Sequence, residues 1–93
     1  MRWTKRFAWN NEKNEQLKAT RRIAFEDIVT HIRNGQVLAV MEHPNKQQYP
    51  NQKIFIISIN NYAWIIPFVE SNAEIFLKTA IPSRKMTRQY LRK

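Results

Sequence analysis

The sequence predicts a single α+β domain, residues 1–93, in which helices pack against a mostly antiparallel sheet. Strand-like runs follow one another in the middle of the chain, whereas helical patterns stand towards its ends. This segregation is typical of α+β proteins. A chain of 93 residues can bury one core, and a hydrophobic content of 43% with eleven aromatic residues favours a globular domain. The expected order of elements is β-α-α-β-β-β-β-α.

The first strand and the first helix are predicted from an aromatic run and a capping residue. The run Phe7–Trp9 is short and apolar, which indicates a brief strand. Asn10 is a suitable N-cap, and Glu12 stands in the first turn, where the helix dipole favours a negative charge. A polar, helix-prone stretch then predicts an exposed helix to about Thr20.

The second helix has the clearest pattern. Between Ile23 and Asn34 the apolar residues recur at intervals of three and four, which places them on one stripe. Gly35, the only glycine of the chain, follows at once and is expected to end the helix with a positive φ. The stripe consists of Phe25, Ile28, Val29 and Ile32.

Three strands are expected in the middle of the chain. The first is Val37–Met41, and a polar loop follows it from Glu42 to Gln52. The next two, Lys53–Ile59 and Tyr62–Val69, are separated by two asparagines. Asparagine tolerates the left-handed conformation that a two-residue hairpin turn requires, so these strands are expected to form a hairpin.

The last third of the chain contains two prolines that shape the prediction. Pro67 has no N–H for a sheet ladder, so its strand is expected to be an edge or to be bulged there. The run Glu74–Ala80 predicts a further strand. Pro82 or Ser83 is expected to start the C-terminal helix.

The net charge of +9 is unevenly distributed along the chain. Residues 1–22 carry seven basic and two acidic side chains, and residues 23–74 carry three basic and five acidic ones. Residues 75–93 carry six basic side chains and no acidic one. If the two basic ends meet in space, they form one cationic face. Nucleic acid is the leading partner for such a face, and an acidic protein or an anionic lipid would also fit.

Composition argues against several other classes of protein. The chain has no cysteine, which excludes disulfides and thiolate sites and fits a cytoplasmic location. Two histidines and scattered carboxylates predict neither a zinc site nor a bound cofactor. No apolar run reaches the roughly 18 residues of a membrane span, and none of signal-peptide length follows the charged N-terminus.

Two motifs frame the chain. One is F-A-W-N-N-E-K over residues 7–13, followed by I-A-F-E-D over residues 23–27, and the other is S-R-K-M-T-R over residues 83–88. They resemble the patterns F-x-W-D-x-x-K, K-H-G-V-S-F-E-E and S/A-R-K-A-T-R of the BrnT family of type II toxins. The spacing from Trp9 to Phe25 fits that family without a gap.

The resemblance implies a RelE-like fold and a ribonuclease that stops translation, with its RNA substrate free or on the ribosome. It also implies a BrnA-type DNA-binding antitoxin that neutralises the toxin. The family's complex represses its own operon, so operator DNA is expected to be bound only through the antitoxin.

The chain departs from the family pattern at three places. The family K-H-G is replaced by residues 20–22, so Arg21 takes the position of the histidine. Asn10 replaces the acidic residue after the tryptophan. Ala24 replaces the N-cap serine, which weakens the start of that helix by about 1 kcal/mol.

Cleavage of RNA by its own 2′-hydroxyl needs a base, an acid and a cation that stabilises the phosphorane, and no metal. Arg84 and Arg88 lie four residues apart, on one helical face, and a guanidinium binds phosphate through two N–H groups. We therefore assign them to the scissile phosphate. A solvated basic helix end is the alternative, although cations at the start of a helix oppose its dipole.

Further candidates are weaker. His43 is assigned to catalysis because the reference pKa of imidazole is near neutral. Lys53 opens a strand and could project into the concave face of the sheet, and the resemblance implies a catalytic role for it, because RelE-like toxins often use lysine. An edge-strand lysine that blocks aggregation and an ordinary loop histidine are the alternatives. The residues assigned to RNA binding are Lys78, Ser83, Lys85 and Arg92. Lys78 has the same edge-strand alternative, and Ser83 is more simply a helix cap.

The remaining candidates concern partners. Arg21 and Arg22 are expected to receive acidic side chains of the antitoxin, or else form an exposed basic turn. Tyr62 and Trp64 share one face of a strand, for core packing or for stacking on bases. His31 lies off the apolar stripe of its helix and is expected at the surface.

Three hypotheses of function result. The first is a metal-independent ribonuclease toxin of the BrnT type. The second is a binding module that keeps the fold and has lost catalysis together with the family histidine. The third is a toxin of the same superfamily with another target, such as DNA gyrase in the ParE branch. Fold alone does not decide between them.

Overall fold

The structure is a computed structural model that describes residues 4–92. Arg2 and Lys93, which contribute to the two basic ends of the sequence, lie outside the described residues. The described chain forms an α+β fold, as the sequence predicts. Its elements in order are β1 (Arg6–Trp9), α1 (Asn11–Arg21), α2 (Phe25–Arg33), β2 (Val37–Glu42), β3 (Gln52–Ile59), β4 (Tyr62–Glu70), β5 (Glu74–Leu77), β6 (Ile81–Pro82) and α3 (Arg84–Tyr90).

The predicted order of elements is wrong at one point, because it lacks β6. The strand expected over Glu74–Ala80 ends at Leu77, and two residues of β6 then pair with Trp64 and Ile65 of β4. A two-residue strand that contains a proline has no alternation of apolar and polar residues. Strand β6 forms only because it pairs with the neighbouring strand, so no local pattern in the sequence predicts it.

The six strands form one mixed sheet in the order β1-β5-β4-β3-β2, with β6 beside β4. The pairings of β2 with β3, β3 with β4, β4 with β5 and β4 with β6 are antiparallel. Strand β1 pairs with β5 in parallel. The sheet is therefore mostly antiparallel, and the parallel pair joins the N-terminal strand to the last third of the chain.

The predicted hairpin between β3 and β4 is confirmed. Ile59 and Tyr62 are paired, and Asn60 and Asn61 adopt φ angles of 52° and 63° between them. Two consecutive left-handed residues match the right-handed twist of the flanking strands.

Pro67 does not lie in an edge strand, contrary to one of the two alternatives predicted for it. β4 is the centre of the sheet, between β3 and the β5–β6 segment. The carbonyl of Pro67 accepts a hydrogen bond from the backbone N–H of Lys78 at 2.8 Å, in the interruption between β5 and β6. The missing N–H of the proline faces this irregular segment, so the β3–β4 ladder is complete without it.

The sheet carries a core on each face, because successive side chains of a strand point in opposite directions. Phe55 and Ile57 of β3 belong to the larger core, with α1 and α2. Ile54 and Ile56 belong to the smaller one, where Met86, Tyr90 and Leu91 of the α3 segment pack against the sheet. The helices α1 and α2 therefore lie on one face and α3 on the other.

Buried Asn14 ties the first two helices together. Its amide oxygen accepts a hydrogen bond from the backbone N–H of Phe25 at 2.8 Å, and its amide nitrogen donates to Glu26 at 2.8 Å. The bond from Asn14 holds the pKa of the Glu26 carboxyl below its ordinary value. Ala24 is the N-cap of α2 and has no side-chain acceptor, so α1 supplies one of the acceptors that this helix end needs.

Candidate nucleic-acid interface

Two residues of the C-terminal motif hold α3 on the sheet. The Ser83 hydroxyl accepts a hydrogen bond from Met86 N at 3.1 Å, which makes Ser83 the N-cap. Thr87 is 2% exposed, and its hydroxyl accepts from Ala63 N at 2.8 Å and donates to the Ser83 carbonyl at 2.7 Å. The Ser83 side chain therefore has a structural role, the alternative that the sequence favoured.

The basic residues of the same motif point away from the sheet. At about 100° per residue, Lys85 and Arg88 lie on the side of α3 away from its packed residues and Arg84 lies at the border of that side, and all three are exposed. Arg92 is also exposed and follows the helix. The four ion pairs among the described residues involve none of these side chains. We call this set the α3 basic face: Arg84, Lys85, Arg88 and Arg92.

Lys5, just before β1, and Arg6, its first residue, do not add free charge to the α3 basic face. Lys5 pairs with Glu70 at 2.7 Å, and Arg6 pairs with Glu74 at 3.0 Å. The contact with Lys5 lowers the pKa of the Glu70 carboxyl. Of the two basic ends in the sequence, the C-terminal one therefore presents the larger unpaired charge in the part of the chain that is described.

Lys53 lies apart from α3. In β3 it alternates with Ile54, so it projects from the sheet face that carries α1 and α2. It also stands near the far end of the strand. Ser58, which pairs with Ala63 beside α3, is five positions further along β3, or about 16 Å from Lys53. The structure does not bring Lys53 together with Arg84.

His43 lies at the same end of the sheet as Lys53, since the preceding residue Glu42 pairs with Lys53. Its Nδ1 accepts a hydrogen bond from Asn45 N at 3.0 Å, and its ring centroid is 4.5 Å from that of Tyr49. The histidine thus organises its own loop, which agrees with the alternative stated for it.

Lys78 lies on the α3 side of the sheet. It follows Leu77, which is buried in the larger core, so Lys78 projects from the opposite face together with Phe76. Its Nζ is 5.4 Å from the centroid of the Phe76 ring. Of the two candidate lysines in the sheet region, Lys53 and Lys78, only Lys78 shares a face with α3.

A cleft opens between the junction of α1 and α2 and the β3–β4 hairpin. Its volume is about 460 Å³, which is within the range of small-molecule sites. It combines cationic, aromatic and apolar side chains from four elements. The lining residues are Arg21, Arg22, Ile23, Asp27, Thr30, His31, Ile59, Asn60, Tyr62 and Trp64.

The two arginines of this cleft are held differently. The guanidinium of Arg21 donates a hydrogen bond from Nη1 to the carbonyl of Ala80, just before β6. Arg22 ends α1 in the left-handed conformation with a φ of 55°. Neither arginine takes part in an ion pair with a described carboxylate.

Sequence reasoning did not join His31, Tyr62 and Trp64 into one site. All three are half-buried and line the cleft. Nδ1 of His31 donates to Oε1 of Gln36, which leaves Nε2 as the other polar atom of the ring. The period-2 pattern placed the aromatic pair on one strand face, but no pattern in the sequence relates that face to α2.

Comparison with known proteins identifies no relative. No family model matches the chain, and neither a curated protein nor a solved structure matches it. Within residues 4–92 no group of three or more His, Cys, Asp or Glu side chains is placed to hold a metal ion. None of the described helices has the length and apolar character to cross a membrane.

Proposed function

We propose that this protein is the toxin of a type II toxin–antitoxin pair. It is a metal-independent ribonuclease of the BrnT type that binds the scissile phosphate with α3, arrests translation and is neutralised by a BrnA-type antitoxin. The observation that carries the proposal is that the residues of the C-terminal motif have two different environments. Ser83 and Thr87 form the hydrogen bonds that hold α3 on the sheet, whereas Arg84 and Arg88 are exposed and have no described acidic partner.

The backbone at the first motif supports the same alignment. Arg22 occupies the position of the glycine in the family pattern, and its φ of 55° is a conformation that glycine adopts without strain. Ala24 occupies the position of the family serine and is the N-cap of α2. The substituted positions therefore have the local geometry for which glycine and serine are suited.

In this proposal α3 contributes to catalysis by electrostatic stabilisation of the transition state. Arg84 and Arg88 are one helical turn apart, about 6 Å between Cβ atoms, and each can offer two N–H donors to phosphate oxygens. Two guanidinium groups at this spacing stabilise the additional negative charge of the phosphorane. The 2′-hydroxyl of the substrate is the nucleophile in this reaction, so the protein need not supply one.

One observation favours a second candidate, a nucleic-acid-binding module without catalysis. Lys53 and His43, assigned to proton transfer, lie at the far end of the sheet from the start of α3. The four residues assigned to catalysis are therefore not assembled in one place, and the α3 basic face would bind RNA without cutting it.

The test is RNA cleavage in EDTA by the purified chain and by Arg84→Ala/Arg88→Ala. The matched control is Lys18→Ala/Lys46→Ala, which removes the same charge from exposed ion pairs outside α3. We expect cleavage by the wild type and the control, and a loss of about 100-fold or more in the α3 variant. Binding of RNA without cleavage by any of the three proteins would replace the ribonuclease proposal with the binding module.

A further inference from the structure

We propose that the cleft between α2 and the β3–β4 hairpin is a nucleotide subsite that holds one base and one phosphate of single-stranded RNA. The inference deepens the proposed function and rests on it, because it names how the RNA continues beyond α3. It assigns stacking to Tyr62 and Trp64 and phosphate binding to Arg22.

The aromatic pair provides a platform for bases. Tyr62 and Trp64 are two residues apart in β4, so they project from the same sheet face with a spacing of about 7 Å. Both are half-buried, and Trp64 packs against the larger core. A rigid aromatic surface that remains partly open is the feature with which proteins stack single-stranded bases.

Polar groups around this platform match the rest of a nucleotide. Arg22 is exposed and has no ion pair with a described carboxylate, so its guanidinium is available to a phosphate. Asp27, Asn60 and His31 offer hydrogen-bonding atoms in the same cleft. Such groups read the edges of an unstacked base.

The cleft lies on the sheet face that carries α1 and α2, whereas α3 lies on the opposite face, and both adjoin the same short strand, β6. Arg21 is bonded to the carbonyl of Ala80 on one side of β6, and Arg84 begins α3 on the other. Arg84 is four positions after Ala80, at most about 14 Å of extended chain. Ile81, between them, is the exposed large hydrophobic residue of the described chain, at 40%. An RNA strand that crosses β6 would cover it.

The lining favours RNA over an acidic protein segment, the partner that sequence reasoning assigned to Arg21 and Arg22. The carboxylates of an acidic segment would use the arginines alone. The aromatic pair would have no role in that case. A nucleotide uses both Arg22 and the aromatic platform.

The test is the affinity for a fluorescent RNA octamer in which every ribose is 2′-O-methylated, so that it cannot be cleaved. Tyr62→Leu should weaken binding about tenfold, because one base–aromatic stack is lost, while Tyr62→Phe should bind like the wild type. Arg22→Gly should lower the slope of log affinity against log salt by about one, and Lys18→Ala should not. Unfolding curves of each variant show that the fold is retained, and Arg22→Gly removes backbone strain without adding any.

Three outcomes separate this inference from the proposed function. In the first, Tyr62→Leu and Arg22→Gly bind the octamer like the wild type, while Arg84→Ala/Arg88→Ala binds it weakly. This result would overturn the assignment of the cleft as a nucleotide subsite and leave the ribonuclease proposal standing. In the second, both cleft variants bind the octamer weakly, and the wild-type protein cuts no RNA. This result would support the nucleotide subsite and overturn the ribonuclease proposal. A decamer of glutamate that outcompetes the octamer, with an affinity that depends on Arg22 and not on Tyr62, would reassign the cleft to an acidic protein.

Discussion

The side chain of Asn14 caps the helix that follows its own, because its Oδ1 accepts a hydrogen bond from the backbone N–H of Phe25 at 2.8 Å. The first N–H groups of a helix have no partner inside the helix. Ala24 has no side-chain acceptor to offer, so the acceptor comes from α1. This bond joins α1 to the start of α2, and α2 supplies one wall of the cleft.

Replacing Asn14 should destabilise the protein markedly. In Asn14→Ala the buried N–H of Phe25 loses its acceptor, and we expect the free energy of unfolding to fall by about 1–3 kcal/mol. Urea unfolding measures this directly. Asn11→Ala is the control, because Asn11 is an exposed residue of the same helix and should change stability by less than about 0.5 kcal/mol. Equal stability of the two variants would contradict the capping role.

Two positions with positive φ should respond to substitution in opposite directions. Arg22, at a φ of 55°, is strained as an L-residue with a side chain, so Arg22→Gly should stabilise the protein by about 0.5–1 kcal/mol. Gly35 has a φ of 80°, and a methyl group added there would meet no other atom within 4 Å. Gly35→Ala should therefore destabilise the protein by about 1 kcal/mol through the backbone alone. Thermal unfolding of both variants gives the two signs, and a fall in stability of Arg22→Gly would show that its side chain outweighs the strain.

The hydroxyl of Thr87 should be essential to the docking of α3. Thr87→Val keeps the shape of the side chain but leaves the N–H of Ala63 without its acceptor, in a buried position. We expect a loss of about 1–3 kcal/mol in the free energy of unfolding. Thr87→Ser, which keeps the hydroxyl, should recover a large part of that loss. If valine and serine gave the same stability, the hydrogen bond would not hold α3 on the sheet.

Stability should decrease on the acid side because of two carboxylates. The pKa of Glu26 is lowered mainly by the hydrogen bond from Asn14, and that of Glu70 mainly by the bond from Lys5. A lowered pKa in the folded state gives stability that is complete above the ordinary value of 4.5 and is lost as the pH falls through the folded value.

The measurement is urea unfolding at pH 6 and at pH 3.5. Glu26→Gln and Glu70→Gln should each reduce the difference in unfolding free energy between the two pH values. Glu12→Gln is the control, since Glu12 is exposed and forms no ion pair with a described residue. If the difference in unfolding free energy between the two pH values were the same in the glutamine variants as in the wild type, other groups would be responsible for the acid sensitivity.

Local patterns were sufficient where one element carries its own signal. The stripe of α2 appeared at intervals of three and four, and Phe25, Ile28 and Ile32 are buried as it predicts. The turn at Asn60 and Asn61 followed from the conformations that asparagine tolerates. The C-terminal helix was expected to start at Pro82 or Ser83, and Ser83, a residue type that favours N-caps, is its N-cap. The basic side of this helix followed from the helical period.

Where two distant segments meet, the sequence had no equivalent signal. Strand β6 exists through its pairing with β4, and β1 lies in parallel beside β5, which is more than 60 residues away in the chain. The separation of Lys53 from Arg84 likewise follows from the face and the end of the strand on which each lies.

The sequence by itself therefore determined the helices, the hairpin and the basic side of α3, because each depends on neighbours within a few residues. Only the tertiary structure decided that Arg22, His31 and Tyr62 line one cleft and that this cleft adjoins β6. Packing of α1 and α2 against the sheet brings these residues together. The physical reason is that burial of apolar surface is not directional, so it stabilises any packing of the helices that covers the sheet. Specific hydrogen bonds between distant segments, such as those of Asn14 and Arg21, favour one of these packings over the others.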